Sequence, residues 1–151
     1  MSGAATRSEL ELQLERLIPA PPERVFRLWT EPELMAKWLA PGSNTIVSCD
    51  AEATPGGFWR LVMRHADGEI VTVTGVYRKV EPPLRLVFTW GWLDKRGERG
   101  HETVVTVRLE PVPGGTKLVL DQRTFDTKEN RDLHHGGWSA VFDNLVGIAG
   151  R

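Results

Sequence analysis

The sequence predicts an α+β fold, a curved antiparallel sheet of seven strands with helices gathered on one side. Three observations predict it. Six stretches of alternating apolar and polar residues follow one another between Thr45 and Gln122, separated by turn residues and not by helices. A seventh such stretch opens near Leu10. The closing segment, Asp126 to Ala149, carries apolar residues at helical spacing and is long enough, at roughly 35 Å for about two dozen residues, to lie across a small sheet.

Taken in order, residues 1–8 are small and polar and are expected to fray. From Leu10 the phase Leu10, Leu12, Leu14 and Ile18 alternates with Glu9, Glu11, Gln13 and Glu15, a half-buried strand in which Arg16 shares the apolar phase. Arg16 is either a side chain snorkelling out at the strand end or a fixed positive charge facing the hollow. Pro19, Pro21 and Pro22 stop the strand, and Val25, Phe26, Leu28 and Trp29 give a short helix. Thr30 with Glu33 has capping-box spacing and predicts a second short helix carrying Leu34, Met35 and Trp38, ended by Pro41-Gly42.

Thr45–Cys49 is a short strand. In the next, Phe58–His65, Trp59, Leu61 and Met63 alternate with Arg60, Val62 and Arg64, and Asp67-Gly68 marks a hairpin. In Ile70–Val80 two phases compete: Ile70, Thr72, Thr74 and Val76 against Val71, Val73, Gly75 and Tyr77. After Pro82-Pro83, the residues Leu84, Leu86, Phe88, Trp90 and Trp92 form a heavy apolar row. Asp94–Gly100 reads as a charged, solvated loop. Thr103, Val105, Val107 and Leu109, then Thr116, Leu118, Leu120 and Gln122, complete the strands. Short turns between them predict antiparallel neighbours. In the last helix Asp126 and Glu129 have the spacing of a capping box, and His134, Trp138, Val141, Phe142, Leu145 and Ala149 form the inner stripe.

A length of 151 residues suits one domain, 1–151. With a net charge of −1 and basic residues interleaved with acidic ones, no electrostatic footprint for nucleic acid exists, and no basic amphipathic helix offers itself to a membrane. No apolar run reaches the length of a membrane span, and the N-terminal residues lack the core of a signal peptide. The expected location is cytoplasmic. A single cysteine, Cys49, excludes an internal disulfide; in a short strand it reads as a small buried hydrophobe before a nucleophile. The unusual number is six Trp against one Tyr, since Trp is enriched where an apolar surface meets a polar or wet edge.

The order strand, two short helices, six-strand meander and long terminal helix, with the stretches PPERVFRLWTEPELMAKWLAPG, PGGFWRLVMRHADGE, GVYRKVEPPLRLVFTWGW and HHGGWSAVFDNL, resembles the helix-grip fold of the START/Bet v 1-like (SRPBCC) superfamily. Within it the chain is most similar to the branch named after the activator of Hsp90 ATPase. The likeness runs from about Leu10 to Val146. It departs at Leu39-Ala40, where relatives often show an aromatic residue and a glycine, and at Gln122, where a histidine is expected on the inward face of the last strand. The resemblance implies a cavity between the sheet and the long helix that holds a small hydrophobic ligand. It also admits a cyclase-, aromatase- or hydrolase-like enzyme, an Hsp90-type co-chaperone or stress-response interaction domain, and a homodimer.

The residues themselves are compatible with such a cavity. Trp59, Met63, Phe88, Trp90, Trp92, Trp138 and Phe142 all project from inward faces, either leaving space among their rings or filling it as core. Arg16, Gln122 and His134, with Tyr77, are the inward polar groups that orient a ligand or do acid–base work on it. Gly136 and Gly137 each weaken a helix by about 1 kcal/mol, so either the backbone passes close to a strand or ligand there, or the helix bends. His134-His135 point about 100° apart and cannot chelate one ion together, so no metal is expected. No nucleophile with its base, paired carboxylates or phosphate loop is visible, and no cofactor or catalytic residue is assigned.

Overall fold

The computed structural model describes residues 6–150. A 3-10 turn, Ser8–Leu10, leads into β1 (Leu12–Ile18), α1 (Pro22–Thr30) and α2 (Pro32–Met35); then come β2 (Thr45–Ala51), β3 (Phe58–Arg64), β4 (Ile70–Glu81), β5 (Arg85–Trp92), β6 (Thr103–Val112) and β7 (Gly115–Arg123), and α3 (Lys128–Ala149) closes. The strands form one seven-stranded antiparallel sheet in the order β1-β7-β6-β5-β4-β3-β2. The meander and its closing helix are as expected. Alternation alone left β1 without a neighbour. It pairs with the last strand, from Leu12 opposite Gln122 to Ile18 opposite Thr116, so the two ends of the strand sequence lie side by side.

Several boundaries differ from expectation, each for a local reason. Leu10 ends the 3-10 turn and precedes the strand, which starts at Leu12. The first five residues of the stretch expected to fray lie outside the described residues. Thr30 does not cap α2: it is the last residue of α1 and its hydroxyl donates to the Phe26 carbonyl at 2.9 Å, while Pro32 opens the next helix. The cap of α3 is Thr127, whose side chain accepts the Asn130 N–H at 3.0 Å; Asp126 instead accepts from the Asn130 side-chain amide.

The competing phases of β4 are resolved by its partner. Trp59 lies opposite Gly75, Leu61 opposite Val73 and Met63 opposite Val71, so Val73 and Tyr77 are buried while Ile70 and Val76 stay outside. The Asp94–Gly100 segment is exposed throughout but ordered. Asp94 accepts the Arg96 and Glu98 N–H groups, and Arg99 returns across Gly91 to donate to both oxygens of Thr74 at 3.0 Å.

The helix α3 runs beside β1 and is tied down at several points. Arg131 donates to the Glu11 carbonyl, Arg24 of α1 donates to the last-turn carbonyls of Ile148 and Ala149, and Asn144 donates to the Trp38 and Ala40 carbonyls. These bonds satisfy carbonyls that a helix end or a loop would otherwise leave unpaired. Trp138, Val141, Phe142, Leu145 and Ala149 are buried against the sheet. With α3 fixed beside β1, the other side of the sheet, β3 to β5, lines open space next to the first half of the helix.

Candidate functional site

The inward aromatic rings divide into two zones. In the inner zone Trp59 and Tyr77 meet Phe88, and Phe88 and Phe142 meet Trp29, through ring contacts of 5.7–6.4 Å between centroids. Trp59 is 3% exposed, and its indole N–H donates to the Thr89 carbonyl at 3.2 Å. Phe142 and Phe88 are buried too. The space left among these rings is about 20 Å³, room for roughly one water. Here the rings are core.

In the outer zone a cleft of about 490 Å³ opens between the first half of α3, the strands β3–β5 and the loop after α2. Of the residues singled out from the sequence, it brings together Met63, Trp90, Trp92, His134 and Trp138; Trp59, Phe88, Phe142, Arg16 and Gln122 do not line it. Arg16 does lie on the inward phase of β1, but it reaches α3 on the far flank, where it pairs with Asp143 at 2.7 Å and covers the Phe142 ring.

Gly137, one of the two helix glycines set beside a strand or ligand from the sequence, lines the cleft too, while Leu39, Pro41, Asn44, His65, Val71, Leu93, Asn130, Leu133 and Val141 were not expected as wall residues. Some carried a signal. His65 follows Met63 by two residues on the same strand phase, and Val71 lies opposite Met63. Asn130 extends the helical stripe by one turn toward its N-terminus, and Leu133 and Gly137, four residues apart, widen it. Leu39, Pro41 and Asn44 sit in irregular chain, where no periodicity points to them.

His134 organises the polar side of the cleft. Its Nε2 accepts two indole N–H bonds, from Trp92 at 2.9 Å and Trp90 at 3.3 Å, and its Nδ1 lies 2.8 Å from the Asn130 carbonyl. Two donors on Nε2 require the proton on Nδ1, which donates to that carbonyl. The ring is therefore a neutral, fully engaged hub. Burial holds its pKa below the ordinary value of 6.5, against the opposing effects of the Asn130 carbonyl and the Asp126 carboxylate.

Gln122 is completely buried and serves Trp138 from below the cleft floor. Its carbonyl accepts the Trp138 indole N–H at 2.7 Å and its amide donates to Thr103 at 2.7 Å. Trp38 donates to the Leu28 carbonyl, so five of the six indoles have partners. Trp29 is the exception: its Nε1–H is buried with no acceptor among the described residues, a state that costs about 1–3 kcal/mol.

At Gly136 and Gly137 an added Cβ would meet nothing within 4 Å, so neither glycine is there to let a strand pass close. Gly136 is exposed, whereas Gly137 forms part of the cleft wall. Among the described residues no group of three or more His, Cys, Asp or Glu is placed to hold a metal ion. Cys49 is half-buried, and desolvation, with Asp50 and Glu33 nearby, pushes its thiol up to about 11. At neutral pH it is a thiol and not a thiolate. No helix among the described residues is long and apolar enough to cross a membrane.

The family model for activator of Hsp90 ATPase homolog 1-like protein matches residues 19–150. Comparison with curated proteins finds no significant match. Among solved structures, the AHSA1 protein of Silicibacter pomeroyi is 31% identical, with a TM-score of 0.84 over 91% of this chain and 95% of that one. A Nitrosomonas europaea protein is 29% identical, with a TM-score of 0.79 over 93% and 94%. A Chromobacterium violaceum protein at 24% identity and a TM-score of 0.86, over 94% and 98%, shares the fold.

Proposed function

Since this chain belongs to the activator of Hsp90 ATPase homolog 1-like family, on the helix-grip fold that commonly holds hydrophobic ligands, we propose that it binds a small hydrophobic molecule with a flat aromatic body in the cleft beside α3. One observation carries the reading. The cleft of about 490 Å³ has the size and mostly apolar lining of a small-molecule site, with two indoles locked edge-on to one imidazole. Locking the rings before a ligand arrives reduces the entropy lost on binding.

Binding is favoured over catalysis because both His134 nitrogens are already committed. The Nε2 lone pair faces two N–H donors and the Nδ1 proton faces a carbonyl. A group in that state neither takes nor gives a proton without dismantling the wall it supports. The other polar groups expected to act, Gln122, Arg16 and Tyr77, lie outside the cleft, and the first two are bonded to Trp138 and Asp143.

The test is titration with N-phenyl-1-naphthylamine, a neutral aromatic probe, followed by its emission and by thermal unfolding. The reading expects saturable one-to-one binding at micromolar concentration. It also expects stabilisation of about 2.7 kcal/mol at a hundredfold excess over Kd. Non-saturating emission with no change in unfolding would refute it.

A further inference from the structure

The polar side chains along the cleft fall into two pairs. His134 and Asn130 are engaged in the wall itself: His134 through both ring nitrogens, Asn130 through its carbonyl to His134 and its side-chain amide to Asp126. Asn44 and His65 line the same cleft and are not engaged in this way. Thr45 opposite Arg64 is the last pair of the β2–β3 ladder, so Asn44 and His65 occupy the next position beyond it, facing each other. Asn44 shares the phase of Ile46 and His65 that of Met63, and Ile46 lies opposite Met63, which puts both side chains on the cleft side. Their backbone N–H groups are held by the Pro41 and Glu69 carbonyls, at 3.1 and 2.8 Å. Their side chains keep free capacity. The half-buried Asn44 amide makes no hydrogen bond among the described residues. His65 has its Nδ1 3.5 Å from the Glu69 carboxylate, which favours the proton on that nitrogen and leaves the Nε2 lone pair without a donor among the described residues.

Resting on the binding role above, we propose that Asn44 and His65 form a polar subsite that takes the hydroxyl of a neutral hydroxyaromatic ligand. The ligand's O–H donates to His65 Nε2, and its oxygen accepts from the Asn44 amide. A hydroxyl matches this pair because it is donor and acceptor at one atom; a ketone or ether oxygen would leave the His65 lone pair unanswered. Among the described residues no Lys, Arg, Asp or Glu lines the cleft, so a carboxylate or an ammonium group would enter it without a counter-charge. The subsite also sets the ligand's length. Trp90 and Trp92 are on β5 and His65 directly follows β3, which is two strand spacings away, or about 10 Å across the sheet. A ligand that lies against the indoles and reaches His65 is a linked ring system with the hydroxyl at its far end.

The experiment compares 4-hydroxybiphenyl with 4-methylbiphenyl, which differ in OH against CH3 at nearly equal shape, and adds 4-biphenylcarboxylate as the charged member. The readouts are displacement of bound N-phenyl-1-naphthylamine and imidazole 15N spectra, with the His65 signals assigned from their absence in His65→Phe. The phenol is expected to bind about tenfold more tightly than the more hydrophobic methyl compound and to shift the His65 Nε2 resonance; the carboxylate should bind most weakly. His65→Phe and Asn44→Leu should each shrink the phenol's advantage to less than about threefold, with the methyl compound held as in the parent and thermal unfolding unchanged. A parent that prefers the methyl compound, or an advantage for the phenol that survives either substitution, would overturn the subsite while leaving the cleft as a binding site. So would a His65 resonance unmoved by the phenol, or a carboxylate bound as tightly as the phenol. Failure of both neutral biphenyls to displace the probe would strike at the binding role itself.

Discussion

His134 holds two indoles through one nitrogen, and that arrangement has a pH signature. Its folded pKa lies below the ordinary 6.5, so the unfolded chain binds the extra proton first as pH falls. Stability from this group is complete above about pH 6.5 and declines as pH drops from there through the folded pKa. Urea midpoints measured between pH 7.5 and 5 should fall accordingly, and His134→Gln should remove that part of the slope. An unchanged slope would mean that the hub does not form. At Gly75 the constraint is steric. A Cβ there would sit 1.8 Å from the Thr89 carbonyl oxygen and 2.4 Å from the Trp59 indole nitrogen, which crosses the strand to reach that same oxygen. Gly75→Ala should therefore destabilise by about 3 kcal/mol, the upper end for overpacking, in a denaturant titration. Nothing local in the sequence marks Gly75, because the reason lies on β3 and β5. His134 could be placed on the inner stripe from helical spacing, but its partners depend on which strand ends beneath that turn.

The elements were largely legible because alternation and helical spacing are local signals. Six strands between turn residues predict a meander, and the inner stripe of α3 follows from helical spacing alone. What stayed hidden depends on partners distant in sequence: the pairing of β1 with β7, and the phase of β4, which its own residues leave balanced. The cap of α3 was ambiguous for another reason. Asp126 and Thr127 are both good caps, and only backbone geometry selects the second. Thr127→Ala should lower stability by about 1 kcal/mol, with Asp126→Ala costing less, as read from urea midpoints. A larger loss at Asp126 would reverse the assignment. Gln122 links β7 to α3 and β6 through Trp138 and Thr103. Gln122→Leu leaves the buried Trp138 N–H without its acceptor, while the Thr103 hydroxyl keeps its bond to the Trp90 carbonyl, and should cost about 2 kcal/mol at equilibrium.

Across the whole molecule, one-sided anchoring of α3 decides where space survives. Arg24, Arg131 and Asn144 hold the helix against α1, the residues before β1 and the loop after α2, while the inner rings pack solid between helix and sheet. The sequence pointed to a hollow lined by tryptophan but set it among all the inward rings. Ring contacts close the inner half, and only the outer half, beside Gly137, stays open. Residue types told which rings face inward; their interlocking is a property of three-dimensional packing that no spacing encodes. Trp138 is a poor probe of the cleft for the same reason. It lines the cleft but is 4% exposed and packs on Trp29, Trp90 and Phe142, so Trp138→Ala would cost about 3–5 kcal/mol of stability along with any binding.

The two adjacent helix glycines separate space from stability. Each has open room for a Cβ, and of the two only Gly137 lines the cleft. Replacing either with leucine should stabilise α3 by up to about 1 kcal/mol through helix propensity. The deciding measurement is N-phenyl-1-naphthylamine affinity in Gly137→Leu and Gly136→Leu side by side. Filling the cleft from Gly137 should weaken the probe at least tenfold in a protein no less stable than the parent, with Gly136→Leu binding as the parent does. Undiminished affinity in a folded Gly137→Leu protein would contradict the account, because the probe would then be held somewhere other than beside α3.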